Sequence, residues 1–417
     1  MAKRTLGSHP NADVRMRGFA QRATVASAWQ WLDAQLGCVA SESIRLDDAL
    51  GRVLAEDVIS PVDVPGFDRA MMDGYAVRAT DTLGASGYNR LALTVIGECL
   101  PGHRFEGQVD PGQAVRIMTG APLPQGADAV LPVEKTELGR DHLDALDAVS
   151  PGKNAGRRGE DILAETKVLA EGRALRPQDL GVLSSVGCAQ VTVVRRVHVT
   201  MVVTGNELLP AGSAPEGCCI ADANGPMLCA LVQRDGGQPE YPGIVADEPD
   251  SILAALHADA DVILVSGGSS VGQEDYVPRL LAQHGELAIH GVAMRPSSPV
   301  GMGRLDHRLV FLLPGNPVSC LCAYDFFAGR AIRALGGLSR EWPYRRARGT
   351  LRRKLVSAVG RVDYARVRLN NGDVEPIAIS GASVLSSTSR ADGFVVIASD
   401  SEGFPEGEEV EVFLYDS

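Results

Sequence analysis

The feature that most restricts how this chain can fold is a strand, glycine loop and helix unit that recurs along residues 181–337. The apolar run 197–204 passes into Thr204-Gly205-Asn206-Glu207, and a helical segment at 227–234 follows, closed by Gly236-Gly237. Pro249 opens a further helix that reaches His257. Residues 261–266 form a second apolar run, ending in Gly267-Gly268 before a helix over 275–283. A third run, 309–313, ends in Pro314-Gly315 and leads to a helix from Pro317. Parallel strands need long crossover connections, and helices supply them. The alternation therefore predicts an α/β domain with a parallel-rich sheet and helices on both faces.

The flanking segments have a different texture. Over 24–36, Val25, Trp29, Leu32 and Leu36 share one helical face, with Thr24 as N-cap and Gly37 as C-cap. A second short helix is expected over 46–50, stopping at Gly51. Between 80 and 147, short runs such as 91–96 and 129–133 alternate with Pro101-Gly102, Pro111-Gly112 and Pro124-Gln125-Gly126, which predicts a β-rich domain. Loops and short elements are expected over 150–180. Alternating segments at 364–369, 394–397 and 410–414 predict a small all-β module at the C-terminal end. A chain of 417 residues exceeds what one core holds, so several domains are expected.

Composition removes some classes of function. A net charge of -12 argues against a general nucleic-acid binder, since neutralising phosphates needs a basic face. No stretch approaches the roughly 20 apolar residues of a membrane helix. Residues 1–22 are polar and basic without the apolar core of a secretory signal, so a mobile tail and a cytoplasmic protein are expected. The eight cysteines (38, 99, 188, 218, 219, 229, 320 and 322) form no CxxC pair and have no histidine at zinc-site spacing. They are expected to be reduced, several of them buried.

Ligands of open α/β sheets bind beyond the carboxyl ends of the strands. Three glycine-containing loops are predicted there: Thr204-Gly205-Asn206-Glu207, Ser266-Gly267-Gly268-Ser269-Ser270-Val271-Gly272 and Pro314-Gly315-Asn316-Pro317-Val318-Ser319. Glycine admits close backbone approach, and the following helix start offers N–H donors and a favourable dipole to an anion. Neither a dinucleotide fingerprint nor a P-loop is present in these loops. Glu207, Asp222, Asp247 and Asp275 accompany the loops, and one or two of them would suit magnesium shared with a substrate phosphate. For Asp222 and Asp275, helix capping is the competing role.

Four motifs, in order, resemble one family: Met72-Asp73-Gly74-Tyr75-Ala76, Ile117-Met118-Thr119-Gly120-Ala121-Pro122-Leu123-Pro124, Ser266 to Gly272, and Pro314 to Ser319. That family is the molybdopterin molybdenumtransferases, called MoeA in bacteria and represented by the E domain of gephyrin in animals. The resemblance runs from about residue 24 to the C-terminus. It implies a linking domain of two segments (23–50 and 148–180), an inserted β-rich domain (51–147), a molybdopterin-binding α/β domain (181–337) and a C-terminal β-barrel (338–417). It further implies a homodimer with the active site between subunits, contact with a molybdopterin adenylyltransferase and recipient molybdoenzymes, and no nucleic-acid or membrane partner. Molybdopterin adenylate and molybdate would be the substrates, and Mg2+ the cofactor. By motif match, Asp73, Thr119, Asp161, Glu207, Asp247 and Asp275 are the expected catalytic residues, with Glu207 and Asp275 at the metal or its water shell. Ser266, Gly267, Gly268, Ser270, Arg295, Ser298, Pro314, Gly315 and Asn316 are the expected ligand cradle.

The chain departs from the family where a lysine-proline-glycine-lysine-proline segment is usual. Here it reads Arg295-Pro296-Ser297-Ser298-Pro299, which keeps one cation as arginine and loses the other at Ser298. Arg69 and Arg304 are the candidate substitutes, and Asn206 stands where aspartate is common. A catalytically degenerate paralogue, acting as a molybdopterin carrier or scaffold, is the competing reading. An adenylyltransferase on the same α/β domain fits the long flanking regions poorly.

Overall fold

The computed structural model describes residues 22–267, 276–379 and 381–415. The chain divides into two compact units, one of residues 43–193 and the other of residues 1–42 with 194–417. Helix α1 (Val25–Asp33) begins where Thr24 accepts a hydrogen bond from the Ser27 amide, and it ends at Ala34, short of the expected Gly37. Its buried residues Val25, Ala28 and Leu32 lie in the core of the larger unit, and Trp29 donates its indole N–H to the Phe326 carbonyl at 2.8 Å. The segment expected as the first half of the linking domain, 23–50, is thus divided between the units, because α1 buries its apolar face with the α/β sheet. The expected tail lies outside the described residues except for Arg22.

In the smaller unit a six-stranded sheet carries β1 (Gly74–Val77), β2 (Leu91–Cys99), β3 (Gln113–Ile117), β4 (Ala129–Pro132), β5 (Thr136–Leu138) and β6 (Leu143–Ala145). Its strand order is β4-β1-β3-β2-β6-β5. Alternate residues serve two cores, with Tyr75 and Val77 on one side and Ala76 on the other. A third core joins two distant segments through Ala49 and Leu54 on one and Leu169, Leu175, Leu183, Val191 and Val193 on the other. The short helix expected at 46–50 is a single 3-10 turn, Leu46–Asp48. Helix α2 (Pro177–Ser185) belongs to this unit, so the α/β region begins after residue 193 and not at 181.

The larger unit contains the α/β sheet, whose elements in chain order are β7 (His198–Thr204), α3 (Asn224–Arg234), β8 (Gln238–Glu240), β9 (Ile244–Val245), α4 (Pro249–Leu256), β10 (Val262–Ser266), α5 (Val277–His284), β11 (Glu286–His290), β12 (Gly301–Leu305), β13 (Arg308–Leu313), α6 (Pro317–Ala323) and α7 (Gly329–Leu335). Strand order is β8-β7-β10-β13-β12-β11, with β9 beside the end of β7. The first four are mutually parallel, and the last two form an antiparallel edge. In β10, Val262 and Leu264 enter one core while Ile263 and Val265 enter the other, the period-two pattern of a strand covered on both faces. Leu228 and Val232 of α3 pack on the first side, and Ile252, Leu256, Val277 and Leu281 of α4 and α5 on the second.

Downstream, β14 (Arg345–Leu351), β15 (Val362–Asn370), β16 (Asp373–Ala378), β17 (Gly393–Ile397) and β18 (Glu409–Leu414) close a barrel through the pairings β15-β16-β14-β18-β17-β15. Closure leaves no edge strand within the five. Aromatic packing welds the barrel to the α/β layer: Trp342 meets Phe326 and Phe413 edge-on, each at 4.9 Å, while Phe394 stacks on Tyr364 at 4.1 Å within the barrel.

Candidate functional site at the carboxyl edge of the sheet

The strand register brings the three loops together. Val203 of β7 pairs with Ser266 of β10, which pairs with Leu313 of β13, so the chain leaves all three strands at one level. At Gly267 the approach is so close that only glycine fits. Gly267 has φ +100°, and a Cβ there would lie 2.1 Å from the Thr204 carbonyl oxygen. A Cβ on Gly315 would lie 3.8 Å from the Gly267 Cα.

One side chain ties the edge together, and the sequence reading passed over it. Asn224, the first residue of α3, donates from Nδ2 to Ser266 Oγ at 2.8 Å and to the Gly315 carbonyl at 2.7 Å. A carbonyl only accepts, so it fixes which carboxamide atom is nitrogen. Asp222 holds the start of α3. Its Oδ1 accepts the Asn224 and Gly225 amides at 2.9 and 3.0 Å, and its Oδ2 accepts the Tyr241 hydroxyl at 2.6 Å. Burial, then this hydrogen bond, pushes the Tyr241 phenol above its ordinary range. Asp222 therefore has the capping role anticipated for it. A side chain at Gly225 would strike its Oδ2 at 2.3 Å.

Ser266 is buried, and its hydroxyl is committed inward: it accepts from Asn224 and hydrogen-bonds Cys320, whose thiol burial pushes up to about 12. Asp247 follows β9 and accepts from Thr204 Oγ1 at 3.1 Å. Glu207 is exposed on the β7 loop. Pro314 is buried, Gly315 and Asn316 are exposed, and Asn316, at the N-cap position of α6, makes no side-chain cap bond and instead accepts from Ser383 Oγ at 3.0 Å. Gly268, Ser270 and Asp275 lie outside the described residues.

Arg295 and Ser298 differ from a pair of free anion ligands. The Arg295 guanidinium is bonded to the buried Asp363 of β15, which also accepts from Ser357 Oγ at 2.8 Å and pairs with Arg361 at 3.1 Å. The Ser298 hydroxyl oxygen is buried and, among the described residues, has no hydrogen-bond partner. The candidate substitutes are engaged as well: Arg69 pairs with Glu160 at 3.2 Å, and Arg304 donates to Gln35 Oε1 at 3.1 Å.

In the smaller unit Asp73 and Thr119 meet directly. Asp73 Oδ1 accepts from both the amide and the hydroxyl of Thr119, each at 2.7 Å. These bonds, the amide first, hold the exposed carboxyl below its usual range. Asp161 is exposed on a neighbouring segment, its amide donating to the Val64 carbonyl at 3.1 Å. No described hydrogen bond joins its side chain to Asp73. Among the described residues, no group of three His, Cys, Asp or Glu is placed to hold a metal ion, and no helix is long and apolar enough to cross a membrane.

The geometry defines an open, parallel-rich α/β domain with a glycine-loop edge, in a chain that also carries a β-rich unit and a closed barrel, and comparison with known proteins says which family that is. Residues 23–187 match the MoeA N-terminal region (domain I and II), residues 200–334 the probable molybdopterin binding domain, and residues 348–415 the MoeA C-terminal region (domain IV). The chain is similar to the molybdopterin molybdenumtransferase of Haemophilus influenzae, 32% identical over 89% of this chain and 93% of that one. It is also similar to the enzyme of that name from Staphylococcus aureus, 30% identical over 94% and 96%. A crystal structure of the molybdopterin biosynthesis MoeA protein of Pyrococcus horikoshii superposes with a TM-score of 0.83 at 33% identity, covering 95% of this chain and all of that one. The chain belongs to the molybdopterin molybdenumtransferase (MoeA) family.

Proposed function

We propose that this protein inserts molybdenum from molybdate into adenylylated molybdopterin in the cytoplasm, with magnesium-dependent release of AMP. The observation that carries the reading is the convergence of the Thr204, Gly267 and Gly315 loops at one sheet edge, anchored by Asn224. Backbone at that edge comes within reach of a ligand; at the start of α6, Pro317 has no N–H and the Val318 amide donates to the Ala382 carbonyl, so donors for phosphates would come from the glycine loops.

The donor set suits magnesium. The ion is commonly held by one or two carboxylates, waters and substrate phosphate oxygens. Glu207 is an exposed carboxylate beside the loops, and Asp247 has an oxygen to spare after accepting from Thr204. Bound there, magnesium would offset the charge that develops as the phosphoanhydride breaks. Loop amides would hold the phosphates, and Asp247 and Thr204 would fix each other's rotamers. Asp73, kept ionised by Thr119, would accept a proton or orient water. The reading includes a homodimer in which Asp73 of one copy serves the loop edge of the other.

A single-turnover assay with adenylylated molybdopterin, magnesium and molybdate tests the proposal. Molybdate-dependent AMP release, lost in Asp73→Ala and in Asp247→Ala, is the expected result. Tight molybdopterin binding without AMP release would instead establish a carrier. Mixing inactive Asp73→Ala and Glu207→Ala chains should restore activity in hybrid dimers; no recovery would remove the shared-site arrangement.

A further inference from the structure

Asn224 has one polar atom left over. The residue is 6% exposed, and its Nδ2 is spent on Ser266 and Gly315, yet its Oδ1 is buried and accepts nothing among the described residues. The amide cannot be flipped to relieve this, because oxygen would then face the Gly315 carbonyl oxygen at 2.7 Å. A buried acceptor left unpaired is costly, so native structures nearly always supply it with a donor. The Nδ2 bonds to Ser266 and Gly315 place the carboxamide beside the points where the loops leave β10 and β13, at the edge already assigned to the ligand.

Resting on the functional reading above, we infer that Asn224 is a specificity-determining residue: its Oδ1 accepts a hydrogen bond from an N–H of the ligand's pterin ring. A carboxamide oxygen is repelled by phosphate oxygens and by molybdate, so its partner cannot be the anionic part of the ligand. The pterin's aminopyrimidinone portion carries N–H donors, and the rest of the molecule is dominated by acceptors. Loop amides would then hold the anion while Asn224 recognises the ring. The neighbours confine Asn224 to this orientation: Asp222 clamps its amide at 2.9 Å, and Ser266, itself bonded to Cys320, receives its Nδ2. A site built to bond a ligand donor rejects analogues lacking it more strongly than an apolar pocket rejects a change of shape.

The test measures binding of molybdopterin and of inorganic pyrophosphate, each with magnesium, to the full-length wild type, Asn224→Ala and Ser266→Ala. Asn224→Ala should weaken molybdopterin by about tenfold or more while pyrophosphate changes less than about twofold. Ser266→Ala removes one anchor but leaves Oδ1 and Gly315 in place, and should cost molybdopterin less. Equal losses for both probes would show that Asn224 only shapes the loops, and unchanged molybdopterin binding would remove its contact altogether. Either result overturns the inference. Should Asn224→Ala fail to fold, a crystal structure of the wild type with molybdopterin decides the matter. A ring nitrogen within hydrogen-bond distance of Oδ1 supports the inference; a water or a protein donor there overturns it. Failure of the wild type to bind molybdopterin at all would instead sink the functional reading.

Discussion

Replacing Gly267 by alanine probes the loop edge most directly. The new Cβ would stand 2.1 Å from the Thr204 carbonyl oxygen, a backbone atom at the end of a core strand that cannot rotate away. To reach an ordinary contact, the β7 and β10 ends must separate by roughly 1 Å, a displacement comparable to overpacking a core, which costs about 1–3 kcal/mol. The φ of +100° adds a backbone penalty of about 1–2 kcal/mol for a residue with a side chain. The total, about 2–5 kcal/mol, predicts a thermal midpoint lower by about 4 °C or more. Molybdopterin affinity should fall with it, because Ser266, Asn224 and Gly315 all adjoin this contact. Gly212→Ala is the control: its φ is +81°, but nothing lies within 4 Å of its Cβ, so only the backbone penalty applies. If Gly267→Ala and Gly212→Ala shift the midpoint equally and leave affinity alone, the loops are not in rigid contact and the site as built here is wrong.

Three further predictions concern charge. Thr119→Val deletes the hydroxyl bond to Asp73 but keeps the amide bond, so the Asp73 carboxyl should rise toward its ordinary pKa and the acid limb of AMP release should move to higher pH. An NMR titration of Asp73 that does not move in the variant would contradict this. Burial works to raise the Asp261 carboxyl, but two Arg195 hydrogen bonds at 2.9 Å and the His198 amide outweigh it, leaving it below the usual range. Its contribution to stability is thus complete above the unfolded-state pKa and is lost as pH falls through the lower folded-state value. Arg195→Gln should destabilise by about 1–3 kcal/mol at neutral pH and flatten that acid loss, as denaturant unfolding between pH 7 and pH 3 would reveal. Ser298→Lys restores a cation to the 295–299 segment. At about 1 kcal/mol for a solvent-screened pair at contact distance, it should lower half-saturating molybdate roughly fivefold. An unchanged molybdate dependence would place this segment away from the anion.

What the sequence made legible follows from how local each signal is. The three apolar strands could be read because a doubly covered strand is hydrophobic at every position, and their glycine loops because the constraint on each glycine is expressed in its own residue type. Alternation alone gave a small all-β module, and its closure into a barrel came from the family resemblance. Asn224 was missed because its partners lie 42 and 91 residues away and the residue stands three positions before the apolar helix residues begin. The Arg295–Asp363 pair was missed for the same reason: its two halves are 68 residues apart and meet only because residues 294–295 pair with barrel strand β15. Helix α1 was recognised as a helix, but amphipathicity says only that a face is buried and not against which core. Local patterns specify elements; the partner of a buried side chain is a property of the assembled fold.

The charge balance at the loop edge follows from the same distinction. Read from the sequence, Arg295 is the surviving anion ligand of its segment. In the fold its guanidinium is bonded to a fully buried carboxylate that Arg361 and Ser357 also engage, so losing Arg295 would remove part of that carboxylate's compensation. Arg295 therefore ties its own segment to barrel strand β15 whatever else it binds, and the cation it offers a ligand is already partly neutralised. Glu207 and Asp247 add negative charge at the same edge. On the proposed function, a phosphate or molybdate approaching these groups would gain little from side chains, and its binding would draw on backbone N–H groups and on any magnesium that accompanies the substrate. That would reconcile an acidic chain with the two oxyanions of the proposed reaction, and it would give the serine at 298 a cost in anion affinity without a cost in fold.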